Sequence, residues 1–214
     1  MGKIAIYGAG GFGLEVAQLV EQINELKPQW QLIGFFDDFK NHGEIVNGYP
    51  VLGGIERLND WNEELGIVLA LGVPSTKLKV YETIDNHNIY FPNLIHPSAI
   101  IGSPHHVRIG DGCIICAGSI ITTNIVIGRH VIFNLACTVG HEARIGDFSS
   151  FMPSCNISGK AEIGVGVFFG TGAKIINGMK VGDHSIIGAG AVIINDIPER
   201  STAVGIPAKV IKGN

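Results

Sequence analysis

Long apolar runs, clusters of basic residues and a disulfide framework of cysteines are all missing from this chain. No stretch approaches the roughly 20 apolar residues that a bilayer-spanning helix requires, so membrane insertion is not expected. Fifteen Lys and Arg against 19 Asp and Glu leave a net charge of −4, with no basic patch to attract nucleic acid. Charged residues make up only 16% of the chain and hydrophobic ones 46%, a globular composition lean in charge. The chain opens on strand-like Lys3-Ile4-Ala5-Ile6-Tyr7 rather than on a secretory leader, so a cytoplasmic location is expected.

Glycine is abundant, with 30 residues, and a repeat explains it. Every sixth position from Ile109 to Ile193 is apolar, fifteen times without a break, including Phe133, Val139, Phe151, Phe169 and Val181. Two positions earlier the residue is mostly small or branched, as in Cys113, Ser119, Ala143, Ser149 and Ala173. Neither the helical period of 3.6 nor simple alternation produces an uninterrupted six; a repeat architecture does. Three such units close one coil of a parallel β-helix, so fifteen predict about five coils stacked at roughly 4.8 Å. Gly110, Gly128, Gly140, Gly146, Gly164, Gly170, Gly182 and Gly188 follow the apolar position and are expected to take positive φ at the corners. Cys113, Cys137 and Cys155 fall on the small inward position, where a reduced core cysteine is expected.

The first ninety residues carry a different pattern. The strand-like Lys3–Tyr7 run leads into Gly8-Ala9-Gly10-Gly11-Phe12-Gly13 and an amphipathic helix; a second strand, Leu32–Phe36, ends at Asp37-Asp38. A third, Ile67–Leu71, ends at Gly72 ahead of a helix near 75–86. This is the Rossmann-like βαβ order, with glycines that leave room for a phosphate at a helix start. The same glycines also suit close helix–strand packing. Ninety residues fall short of a dinucleotide fold, so a single nucleotide is the expected ligand, with Asp37 or Asp38 accepting from its ribose or base. The chain is therefore read as a Rossmann-like α/β domain over 1–93 and a β-helix over 94–214.

The hexad pattern, with the closing segment Val204-Gly205-Ile206-Pro207-Ala208-Lys209, resembles the hexapeptide-repeat acyltransferases, which implies a left-handed coil. The order of the two parts resembles the bacterial sugar N- and O-acetyltransferases typified by PglD and NeuD. That resemblance implies acetyl-CoA as donor, a nucleotide-linked amino sugar as acceptor, a homotrimer and no metal. It places the nucleotide-linked sugar on Gly10, Gly11, Phe12, Gly13, Asp37, Asp38 and Gly72.

His130, His141 and His184 all lie off the inward positions, at expected solvated corners. His141 stands apart, because Glu142 follows it and Asn134 lies seven residues earlier, resembling the family stretch whose histidine is the general base. A sugar ammonium has no free lone pair, and a histidine with a pKa near 6.5 is suited to take its proton. Glu142 is the adjacent carboxylate expected to orient it. Asn134, Ser150, Gly159, Gly170, Thr171, Ala189 and Lys209 align with donor positions, which implies acetyl-CoA along the stacked coils; Lys212 joins Lys209 as a phosphate partner. Ser150 stands where glycan-pathway members carry a second histidine.

Rival readings remain open. They are O-acetylation of a sugar or sialic acid-type acceptor, a non-catalytic nucleotide-sensing scaffold, and a zinc site like that of the hexapeptide-repeat carbonic anhydrases. For the last, His105 and His141 are 36 residues apart, but the expected companion is Gly146.

Overall fold

The computed structural model describes residues 1–213. The N-terminal part runs β1 (Gly2–Tyr7), α1 (Gly11–Leu26), β2 (Trp30–Phe36), β3 (Ile45–Val46), β4 (Tyr49–Gly53), α2 (Ile55–Asn59), β5 (Leu65–Leu69), α3 (Pro74–Thr83) and β6 (Ile89–Tyr90). The sheet order is β3-β4-β2-β1-β5-β6, parallel except for the β3–β4 hairpin. Strand order reverses at β1, which opens a crevice between the carboxyl ends of β1 and β5. The third strand begins and ends two residues before the span expected from sequence, at Leu65–Leu69.

From Leu94 onward the chain winds a three-faced parallel β-helix. Its first face stacks Leu94–Ile95, Ile114–Ile115, Ile132–Phe133, Ser150–Phe151, Phe168–Phe169 and Ile186–Ile187 before the closing hairpin of Ser201–Val204 and Lys209–Gly213. The second face runs from Ile100–Ile101 through Thr138–Val139 to Val192–Ile193, and the third from Val107–Ile109 through Arg144–Ile145 to Lys180–Val181. The prism is somewhat longer than five coils, because Leu94–Ile95 and Ile100–Ile101 already belong to it. The hexad residues fill its interior in register, with the rings of Phe133 and Phe151 stacked at 4.9 Å and those of Phe151 and Phe169 tilted at 5.0 Å. All four cysteines are buried and unpaired.

The corners differ from expectation. Positive φ falls three residues after each apolar position except the last, Ile193, at Asn124, His130, Ala136, Glu142, Phe148, Ser154, Lys160 and His184, with glycines at the other corners. The glycines directly after the apolar residue serve clearance instead. A Cβ at Gly128 would lie 2.6 Å from the Asp147 amide nitrogen, and one at Gly140 would lie 2.6 Å from that of Gly159. Neighbouring coils simply leave no room for a methyl group there.

The α/β part packs on the first face. Ile4, Ile6, Val16 and Val20 share one apolar cluster with Leu94, Ile114, Cys116 and Ile132. Beside it, α3 covers the ridge joining the third face to the first. His130, expected at a solvated corner, is 2% exposed there, with Phe148 stacked on it at 5.0 Å and Tyr81 and Phe91 against its other sides. Its Nδ1 has no partner among the described residues, and burial, followed by the Lys77 and Arg129 charges, pushes its pKa down to about 4.

Candidate functional site

The crevice of the α/β part is held open by its glycines and carboxylates. α1 starts at Gly11 after Gly10, with no side-chain cap and no acidic residue in its first turn. Its amide-bearing N-terminus is thus free to meet an anion. A Cβ at Gly10 or Gly11 would touch nothing within 4 Å, so packing does not demand these glycines. Gly13 is different: a Cβ there would lie 1.9 Å from the Gly8 carbonyl oxygen, so it permits helix–strand contact. Close packing therefore accounts for Gly13 but not for Gly10 and Gly11, which border open space at the helix start.

Asp37 and Asp38 shape the crevice from within the fold. The Asp37 carboxylate accepts from Ala9 N at 2.8 Å and Phe39 N at 2.9 Å, tying the glycine loop to the end of β2. Asp38 accepts from the Tyr7 hydroxyl at 2.5 Å and from Ile55 N at 2.8 Å. Burial and the Asp38 hydrogen bond raise the Tyr7 pKa, keeping its proton in place. Next to them opens a cleft of about 460 Å³ lined also by Lys40, His42, Gly54 and Arg57. Sequence reasoning missed Lys40, His42 and Arg57. Lys40 and His42 lie two and four residues after Asp38, which was the available signal; Arg57 sits on α2, a helix too short to announce itself. Phe12 is half-buried, and Gly72 lies toward the prism, where its Cβ would come 3.8 Å from Met152 Cε.

The prism residues singled out from sequence separate onto different edges. Asn134, Gly170, Thr171 and Ala189 lie on the ridge between the first and second faces, on the side facing α1. His141, Glu142 and Gly159 lie on the ridge between the second and third faces. Asn134 is nearly buried, and its Oδ1 accepts from Leu135 N at 2.7 Å. Thr171, Ala189 and Lys209 are exposed, whereas Gly170 is buried. Ser150 departs from expectation. It points outward on the first face, where α3 covers it, and its Oγ accepts from Lys77 Nζ at 3.0 Å with both side chains fully buried. It is sealed away from any ligand on the prism surface.

On the open ridge, His141 Nδ1 and Glu142 Oε2 are 2.9 Å apart, with the two side chains 55% and 49% exposed. A carboxylate only accepts, so in the neutral ring this contact places the proton on Nδ1 and the lone pair on Nε2. The imidazole lies over Gly159, where a Cβ would come 2.5 Å from Nε2. A histidine held this way by a carboxylate has the geometry that proton transfer from a ligand requires. Among the described residues no three His, Cys, Asp or Glu side chains converge as a metal site, and no helix is long and apolar enough to cross a membrane.

The PglD N-terminal domain family matches residues 3–84, and the hexapeptide repeat of succinyl-transferase matches 99–123 and 160–194. A GDP-perosamine N-acetyltransferase of Escherichia coli O157:H7 is 31% identical over 155 residues, covering 72% of this chain and 68% of its own. Among solved structures, PerB from Caulobacter crescentus, in complex with CoA and GDP-perosamine, is 30% identical over 99% of this chain and 98% of its own, with a TM-score of 0.88. The acetyltransferase domain of PglB from Neisseria gonorrhoeae FA1090 is 33% identical over 98% of this chain and 99% of its own, also at a TM-score of 0.88.

Proposed function

Because the chain belongs to the hexapeptide-repeat sugar acetyltransferases that carry a PglD-type N-terminal domain, we propose that it transfers the acetyl group of acetyl-CoA to the amino group of a nucleotide-linked amino sugar. The observation that carries this reading is His141, held through Nδ1 by Glu142, with Nε2 turned to the open ridge. Nε2 takes a proton from the sugar amine as the nitrogen attacks the thioester carbonyl. The C–S bond then breaks, and the thiolate of CoA leaves with a proton returned to it. The Gly159 amide is the proposed donor to the carbonyl oxygen as negative charge develops there. The nucleotide sits at the α1 N-terminus beside Asp37 and the Lys40–Arg57 cleft, with Gly10, Gly11, Phe12 and Gly13 around its phosphates. Asn134, Gly170, Thr171, Ala189 and Lys209 hold the donor.

Edge geometry supports a homotrimer. The crevice lies beside the ridge between the first and second faces, whereas the base stands on the next ridge of the same convex prism. A sugar held by one copy is therefore expected to meet the His141 of a neighbour, which supplies the second wall that one prism lacks. Reduced cysteines fit a cytoplasmic enzyme.

The test is thiol release from acetyl-CoA against nucleotide-linked amino sugars, GDP-perosamine first, with free hexoses as controls. His141→Asn is expected to lose a hundredfold or more in turnover, about the usual worth of a general base. Wild-type turnover in the folded variant would remove His141 from the mechanism. Activity only on hydroxyl acceptors would make the chain an O-acetyltransferase.

A further inference from the structure

One coil beyond His141-Glu142, the same corner recurs as Gly159-Lys160. The two corners are stacked in register: Thr138 pairs with Asn156 before them, and Arg144 with Glu162 after them. Lys160 N donates to the His141 carbonyl at 2.7 Å. Glu142 and Lys160 share the left-handed conformation, with φ of 61° and 57°, so both side chains leave the ridge in the same direction. Lys160 Nζ lies 3.8 Å from Glu142 Oε2, the same oxygen that meets His141 Nδ1. The charges around them leave this contact to Lys160. Glu162 on the adjoining strand is taken by Lys180 at 2.9 Å, and Arg144 stands opposite Glu162 in the ladder. The corners stacked on either side, Thr123-Asn124 and Asn177-Gly178, are uncharged.

We propose that Lys160 is a positioning residue for acetyl transfer: its ammonium holds the Glu142 carboxylate against His141 and offsets part of its charge, which sets the pH range over which Nε2 works as a base. The proposal rests on His141 being that base. Glu142 alone favours the protonated ring, because a nearby anion stabilises a cation. Lys160 opposes this from the far side of the carboxylate, so catalysis extends to lower pH with it than without it. All three side chains are about half exposed, so the effect is small and screened by salt.

The experiment is the pH dependence of kcat/KM for wild type, Lys160→Met, Lys160→Glu and Lys160→Arg at low and high salt, with unfolding curves to verify folding. In Lys160→Met the acid limb is expected to move up by about 0.3–0.7 pH units, and in Lys160→Glu by about twice that, at unchanged KM for the nucleotide sugar. Lys160→Arg restores the wild-type limb, and high salt brings wild type toward Lys160→Met. A lysine that merely stabilised the corner would shift none of these limbs. Unmoved limbs in folded Lys160→Met and Lys160→Glu, alongside an inactive His141→Asn, would overturn this proposal alone. An active His141→Asn would instead overturn the reading it rests on.

Discussion

Two lysine–histidine neighbourhoods stand on the same prism, and burial separates them. In the seam beneath α3, Lys77 and His130 are 1% and 2% exposed; among the described residues Lys77 donates to the Ser150 hydroxyl alone, and His130 Nδ1 has no partner. On the ridge, Lys160 and His141 are more than half exposed and share a carboxylate. Ser150 and Lys77 have the separation of a nucleophile and its base, yet no substrate reaches them. In the seam, titration changes how firmly the two parts of the molecule hold together. On the ridge it changes what the surface can do to a ligand. Proton-active residues are therefore a guide to chemistry only where a reactant has access.

The largest test of that contrast replaces the seam pair. Burial pushes the Lys77 ammonium down to about 7 from 10.5, so between those values the unfolded chain holds a proton that the folded chain has released. Wild-type stability therefore rises with pH across that window. Lys77→Met with Ser150→Ala removes the buried amine and its hydroxyl together. It is expected to raise stability by about 1–4 kcal/mol at pH 7, the usual return for an apolar replacement of buried charge. Denaturant unfolding should show the gain in full below pH 7 and lost by pH 10.5. No gain at pH 7 would mean that the pair stabilises the seam.

His130 gives the next effect. Its folded pKa near 4 lies below the usual 6.5, so the unfolded state gains the proton first as pH falls. Wild type should lose about 3 kcal/mol of stability between pH 6.5 and 4, by the conversion of 1.36 kcal/mol per unit. His130→Phe keeps a ring against Phe148, which itself tolerates the same left-handed corner. Its urea midpoint should show a correspondingly weaker pH dependence across this range. Equal slopes for the two proteins would place the acid sensitivity elsewhere.

Much of this fold was legible because a six-residue period can be counted, and the interior residues from Ile115 to Ile193 lie where it put them. What lies on the outside of the prism was not legible. Ile114 and Ile120 occupy the same step of the repeat, yet one is fully buried under the α/β part and the other is 39% exposed. His130 and His184 stand on the same ridge in the same conformation, one sealed and one exposed. Only the docking of the other domain distinguishes them, and no six-residue pattern encodes that. The His141-Glu142 pair was readable from its neighbours in sequence, whereas Lys160 required the coil register. Ser150 reads as a ligand-surface residue because the sequence does not say which face α3 covers.

The smallest of these effects tests whether the ridge works as drawn. Gly159 does not have positive φ, so alanine suits its backbone, but the new methyl carbon would lie 2.5 Å from His141 Nε2. The imidazole is the free end of an exposed side chain, so it swings away while the coil stays put. Gly159→Ala should therefore keep its unfolding temperature and lose about tenfold in kcat/KM, equivalent to about 1.4 kcal/mol of transition-state binding. Gly140→Ala is the comparison beside His141, on the coil before. Its methyl would meet the Gly159 amide nitrogen at 2.6 Å, a backbone atom that cannot step aside, so stability should fall as well as activity. Unchanged kinetics in a folded Gly159→Ala would show that the ring does not work from its place over Gly159. The hydrogen bond to Glu142 would then describe a resting pose, not the reacting one.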